Sequence, residues 1–153
     1  MNELDKHDSD ILRELQTDSS ISMDTLSERV NLSRNACWRR VKQLQDSGVI
    51  QARVALIDPE SVGLALSVFV LIRTNQHGPE WLKKFQRAVT SMPEIVGAHR
   101  MTGDLDYVLR VRVADVKSYD QFYQRLTGQV PIAEISASFV MEDLVDTTQL
   151  PIS

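Results

Sequence analysis

Apolar positions follow one rhythm in the first third of the chain and a second rhythm in the rest. Up to about residue 48 they recur three and four apart, as on one face of a helix. Ile11, Leu12 and Leu15 form such a stripe. Asp5 caps this first helix, with Leu4 just ahead of it and Asp8 three residues on as reciprocal partner. In "ISMDTLSERV" Ser22 is the N-cap of a second helix, and Ile21 and Leu26 have the spacing of a hydrophobic staple. In "NLS" Asn31 tolerates the left-handed conformation that ends a helix, and Ser33 caps a third. Leu32 and Cys37 repeat the staple spacing. The second helix is short and the turn tight, which predicts a helix-turn-helix over about residues 22–46. The third helix ends near Ser47–Gly48, and "VIQARVALI" reads as a strand.

"DPESVG" is a turn-rich joint, so the expected domains are 1–60 and 61–153. Beyond it, "LALSVFVLIRT" is a strand. In "PEWLKKFQRAVTSM" Pro79 suits a helix start, and Trp81, Phe85, Ala88, Val89 and Met92 share a face. "EIVGAHRMT" and "DYVLRVRV" are strands around the turn "GDLD". Val116, Tyr119, Phe122, Tyr123 and Leu126 line a second helix. "AEISASFVME" alternates Ile135, Ala137, Phe139 and Met141 with Ser136, Ser138 and Val140, as a one-sided strand does. The order βαββαβ is the ferredoxin-like arrangement, making the chain α+β. Two helices on one face of four strands leave the other face bare, and a bare apolar face needs a partner.

Composition narrows the picture. Apolar residues are 42% and charged ones 25%, which points to a folded chain rather than a disordered one. No run approaches the roughly 18 apolar residues of a membrane span, and no basic, apolar leader opens the chain, so a cytoplasmic location is expected. The single cysteine, Cys37, excludes an internal disulfide framework and reads as a small buried apolar group. Net charge is −4, yet residues 33–53 hold Arg34, Arg39, Arg40, Lys42 and Arg53 against Asp46 alone. A positive block on an acidic chain is a footprint for an anion.

On the third helix, Cys37, Val41 and Leu44 point toward the other two, at about 100° per residue. Asn35, Arg39 and Lys42 point outward, with Arg34 and Trp38 on the flanks. Arginine grips guanine and asparagine grips adenine in the major groove, each good pair discriminating by about 1–3 kcal/mol. Ser22 and Ser33, with the amides of their helix starts, could hold phosphates. The plainer reading is a solvated basic face. Trp38 is either a packing residue or a reader. Arg40 lies nearer the core edge and pairs with an acid of the first helix or with a phosphate. A small head binds DNA weakly at cellular salt unless the second domain joins two heads.

"RMTGDLDYVLRV" is the other informative stretch. Gly103 sits where positive φ is expected. Backbone N–H groups around it could take a carboxylate, and Asp104 or Asp106 an ammonium group, as an amino-acid zwitterion requires. The alternative is a plain hairpin turn. No metal-ligand spacing joins His7, His77 and His99, and no nucleophile elbow, P-loop or dinucleotide fingerprint occurs, so neither catalysis, metal nor cofactor is expected.

Together "LDKHDSDILRELQTDSSISMDTLSERVNLS", "CWRRVKQLQDSGVI", "ALIDPESVGL", "MPEIVGAHRMTGDLDYVLRV" and the F and TT of "SFVMEDLVDTT" resemble the Lrp/AsnC, or feast/famine, family of transcription regulators. The resemblance spans essentially the whole chain. It implies an N-terminal winged helix-turn-helix that binds double-stranded DNA. The C-terminal ferredoxin-like domain would bind an effector and assemble dimers into octamers or hexadecamers, associated with the nucleoid when on DNA. It implies an amino-acid effector at the loop Met101, Thr102, Gly103, Asp104, Leu105, Asp106 and Tyr107, with Ser136, Ser138 and Thr148 of the last strand completing the site. "ACWRRVKQL" and "PEWLKKF" are most similar to the cysteine-sensing subgroup. Asn35 and Ala36 stand where members often carry proline or threonine, which bears on base preference, and Gln45 stands in place of a glutamate. The expected function is a sequence-specific DNA-binding regulator of amino-acid metabolism. The competing expectation is a metabolite-binding oligomer acting through protein contacts.

Overall fold

The computed structural model describes residues 4–153, which form two compact units. The first comprises residues up to Leu56 together with Val145–Ser153; the second is Ile57–Leu144. The sequence boundary at 60 keeps the last nine residues with the second domain, whereas here they fold with the first.

In the first unit, or head, the helices are α1 (Lys6–Thr17), α2 (Met23–Arg29) and α3 (Arg34–Asp46). Each starts at the expected cap, because an aspartate or serine oxygen accepts an otherwise unpaired N–H of the first turn. Asp5 accepts from the Asp8 amide at 2.9 Å and Asp8 returns the bond to the Asp5 amide at 3.4 Å, completing a capping box. Ser22 accepts from Thr25 N and Ser33 from Ala36 N. Asn31 has φ 53° at the turn between α2 and α3. The core is Ile11, Leu12, Leu26, Val30, Cys37, Val41 and Leu44, with Leu15, Leu32, Ile50 and Ile152 packed against it. Ile152 belongs to the tail. The Gln16 side chain fastens that tail: its Nε2 donates to the Leu150 carbonyl at 3.2 Å and its Oε1 accepts the Leu150 amide at 2.6 Å.

The strand expected over 49–57 does not form. Strands exist through ladder hydrogen bonds, and among the described residues none pairs with this segment. It runs without regular structure, and Val54 and Leu56 are exposed.

The second unit holds β1 (Leu66–Arg73), α4 (Pro79–Ser91), β2 (Ile95–Arg100), β3 (Tyr107–Val113), α5 (Val116–Gln129) and β4 (Glu134–Phe139). The strands are antiparallel in the order β2-β3-β1-β4, the topology the βαββαβ pattern anticipates. Val68, Val70 and Ile72 of β1 and Leu109, Val111 and Val113 of β3 alternate inward, where they meet Trp81, Phe85 and Ala88 of α4, Met92 just beyond it, and Tyr119, Phe122 and Leu126 of α5. Trp81 satisfies its indole N–H on the Pro131 carbonyl at 2.7 Å. Four expected apolar positions are instead exposed: Val116, Met141, and Ala137 and Phe139 of β4, where only Ile135 is partly covered. Val116 is the first residue of α5, ahead of the sheet, and Met141 lies past the end of β4.

Candidate DNA interface and effector loop

Sequence sets the roll of α3. Cys37, Val41 and Leu44 are buried, at positions one helical turn apart, and this turns Arg34, Asn35, Trp38, Arg39 and Lys42 outward. Burial raises the pKa of the Cys37 thiol, which suits a packing role. Trp38, 55% exposed, is not a core residue.

The cations of this helix are in three different states. Arg39 has no acidic partner among the described residues. Arg34 meets Asp24 of α2 at 2.9 Å, and Lys42 meets Asp46 at 3.4 Å. Both pairs are open to water, the Arg34 and Asp24 side chains each being 68% exposed. Such pairs hold by about 0–1 kcal/mol and yield readily to a phosphate. Arg40 differs: its Nη1 donates to Asp5 Oδ2 at 2.7 Å and to Asp8 Oδ1 at 2.8 Å. Of the two partners the sequence leaves open, an acid of the first helix is the one found. Its place among the DNA-facing residues is therefore corrected: two carboxylates compete with any phosphate for the guanidinium, and they turn it toward α1. The Ser22 and Ser33 oxygens serve as caps; the Ser33 hydroxyl hydrogen is left able to donate, while Ser22 Oγ also shares a hydrogen bond with Thr25 Oγ1 at 2.8 Å. Asp24 is a residue the sequence reading missed; only the pairing across the turn reveals it.

In the sheet unit, the loop 101–107 joins β2 to β3. Gly103 has φ +96° with open space where a Cβ would stand. Met101, Thr102, Gly103 and Asp104 are exposed, and Leu105, Asp106 and Tyr107 are half-buried. The two aspartates do different work. Asp106 is structural: its Oδ2 accepts the Thr74 amide at 2.8 Å, its own amide donates to the Ile72 carbonyl, and its carbonyl accepts from Met101 N. Asp104 keeps its whole carboxylate exposed, whereas Asp106 has one oxygen engaged by the Thr74 amide. Tyr107 anchors the end of the loop against Phe85, ring centroids 4.5 Å apart. Arg73, which the sequence does not single out, donates from Nε to the Asp104 carbonyl at 2.7 Å and pairs with Glu134 at 3.2 Å. Only strand register could have placed it there. Ser136 and Ser138 lie on β4 opposite Leu71 and Phe69. Thr148 is in the tail that folds with the head, not in the sheet unit that carries the loop.

A winged helix-turn-helix DNA-binding model matches residues 4–51, and the model of the Lrp/AsnC ligand binding domain matches residues 67–150. The chain belongs to the Lrp/AsnC family. The DNA-binding transcriptional activator DecR of Escherichia coli is 49% identical over 150 residues, spanning 97% of this chain and 99% of that protein. Among solved structures, an AsnC family transcriptional regulator from Agrobacterium tumefaciens superposes with a TM-score of 0.94 at 46% identity, covering 97% of each chain. A transcriptional regulator from Neisseria meningitidis, solved as a complex with L-Met, gives 0.93 at 34% identity, also covering 97% of each. The Lrp/AsnC fold thus accounts for both units. No described helix is long and apolar enough to cross a membrane, and no cluster of metal-binding side chains occurs among the described residues.

Proposed function

We propose that this Lrp/AsnC protein is a sequence-specific DNA-binding transcriptional regulator, tuned by a small amino acid. The observation that carries the reading is the outward face of α3. There Asn35 and Arg39 stand exposed without the burial that a structural role requires, on a helix that follows a tight capped turn. Asn35 and Arg39 read base edges; Arg34, Lys42 and the Ser22 and Ser33 hydroxyls hold phosphates; Trp38 packs along the backbone. The unit formed by residues up to Leu56 with the tail Val145–Ser153 is the DNA-binding domain, and Ile57–Leu144 the effector and assembly domain. The protein works in the cytoplasm as a dimer or higher homo-oligomer, which brings two heads to one face of a duplex.

The effector binds at the loop around Gly103. Backbone N–H groups there face its carboxylate, Asp104 faces its ammonium group, and Ser136 and Ser138 lie on the neighbouring strand. By linkage the effector shifts DNA affinity only as far as it binds one assembly better than another.

A fluorescence titration against the DNA upstream of the protein's own coding region tests the first half. Arg39→Ala costs about 1–3 kcal/mol of specific binding and relaxes base preference, while Lys42→Ala chiefly flattens the salt dependence. Equal affinity for every duplex, unmoved by either change, rejects the reading. Calorimetry with the twenty amino acids, cysteine first, tests the second. Gly103→Val forces a branched residue into positive φ and abolishes the heat; full binding by that variant removes the loop from the site.

A further inference from the structure

We propose that Arg40 is the positioning residue of the DNA-reading helix, clamping α3 to both carboxylates of the α1 capping box and never touching the duplex. The inference rests on the DNA-binding reading above.

The geometry is a closed set. Asp5 gives Oδ1 to the Asp8 amide and Oδ2 to Arg40; Asp8 gives Oδ2 to the Asp5 amide and Oδ1 to Arg40. All four carboxylate oxygens are occupied, each acid bridging a backbone and a guanidinium. The same two residues thus start α1 and fix α3 against it. The clamp is less solvated than the Arg34–Asp24 pair: Arg40 is 27%, Asp8 18% and Asp5 51% exposed, against 68% for both members of that pair. A network of this kind resists exchange with solvent far better than a lone surface pair does.

The head needs such a device. Its core touches α3 through Cys37, Val41 and Leu44, which are apolar contacts without direction. Their burial sets which face of α3 is turned outward, but it leaves the fine angle to side-chain packing. A roll of a few degrees moves the long Arg39 side chain off a base edge, where a bidentate contact is geometrically strict. The short, directional Arg40 bonds, on the flank of that apolar stripe, oppose the roll.

A phosphate-contact role predicts the opposite sign for one measurement. If Arg40 gripped DNA, the two aspartates would be competitors, and removing their charge would strengthen binding. If Arg40 positions α3, removing them weakens reading of the sequence. The experiment measures specific and non-specific affinity, each across a salt series, for the full-length protein. The specific probe is a duplex that the wild-type protein has selected from a randomised pool. The variants are Arg40→Gln, Arg40→Lys and the double change Asp5→Asn with Asp8→Asn.

Arg40→Gln and the double aspartate variant are expected to lose about tenfold or more of the ratio of specific to non-specific affinity. The slope of log affinity against log salt stays at the wild-type value, because no phosphate contact has gone. Combining all three changes costs no more than Arg40→Gln alone, since the groups act as one unit. Arg40→Lys keeps the charge but is shorter and its ammonium group rotates freely, where Arg40 holds both carboxylates from one planar Nη1, so it falls between; it replaces Arg40→Gln if that variant melts below the assay temperature. Tighter specific binding by the double aspartate variant, or a slope reduced by about one on losing Arg40, overturns the proposal. So does full specificity in both Arg40→Lys and the aspartate variant. Failure of the wild-type protein to select any sequence sinks the DNA-binding reading itself, and the positioning role with it; selection by the wild type with unchanged variants sinks the positioning role alone.

Discussion

The head buries seven apolar side chains between three helices, whereas the sheet unit buries fourteen, including Trp81, Phe85, Tyr119 and Phe122. The sheet unit is held by area: Phe85 packs between Trp81 and Tyr107, and Phe122 is wholly enclosed. The head supplements a thinner core with directional polar bonds. Its three caps at Asp5, Ser22 and Ser33, the Arg40 clamp and the Gln16–Leu150 pair each fix an orientation that apolar packing leaves loose. Small domains bury a lower fraction of their surface, so each polar lock counts for more of the total. The reading unit is therefore the one whose shape depends on a few removable hydrogen bonds.

The largest break in that comparison comes from truncating one core residue in each unit. Phe122→Ala costs about 3–5 kcal/mol and Leu26→Ala about 2–5 kcal/mol. Each unit has its own reporter, Trp38 in the head and Trp81 in the sheet unit, so urea melts of Trp38→Phe and Trp81→Phe backgrounds separate the two. Leu26→Ala should lower the Trp38 transition and abolish DNA binding, leaving the Trp81 transition near its original midpoint. Loss of both transitions together would show that the units unfold as one.

A smaller effect is expected at a cap. Ser33→Ala removes the acceptor for Ala36 N and costs about 1 kcal/mol. That loss should appear in the head's melting midpoint, with nothing in the sheet unit. Arg39→Ala provides the contrast, lowering DNA affinity without moving the midpoint.

The smallest effect is with acid. The Asp5 carboxyl is held below its usual value, chiefly by the Asp8 amide and also by the Arg40 guanidinium, against an opposing push from burial. The Ser20 hydroxyl and amide do the same for Asp18, and the Ser118 amide and hydroxyl do so for Asp115 in the sheet unit. A carboxyl whose folded value is depressed adds stability that is complete above its unfolded value and disappears as pH falls through the folded one. Both units should therefore weaken below the usual carboxylate range and stay flat above it. Asp5→Asn should blunt the acid loss in the head alone, read by the Trp38 melt as a function of pH.

Caps, helix faces and the order of strands were legible because they obey local rules. An aspartate or serine three residues before a free amide, or valines at every second position, needs no knowledge of what lies across the fold. What escaped was set by partners distant in sequence. For Arg40 the sequence left an acid of the first helix and a phosphate both open, and Asp5 and Asp8, more than thirty residues away, settle which one the fold supplies. The bond from the Thr74 amide to Asp106 Oδ2 was likewise out of reach of the sequence. The segment 49–57 reads as a strand, but no described strand pairs with it, and apolar content alone makes no ladder. Thr148 was assigned to the sheet unit by its place in the sequence, and the tail's return to the head reassigns it.

That return also orders events during synthesis. The polypeptide leaves the head after Leu56 and rejoins it at Val145. On a ribosome, α1 to α3 emerge first, but Gln16 must wait for Leu150, and the head's apolar margin for Ile152, until every strand of the sheet has been translated. A nascent head is therefore open along one side for most of its elongation time. A chain halted after residue 144 would carry a finished sheet and a head without the Ile152 contact and the Gln16–Leu150 bonds.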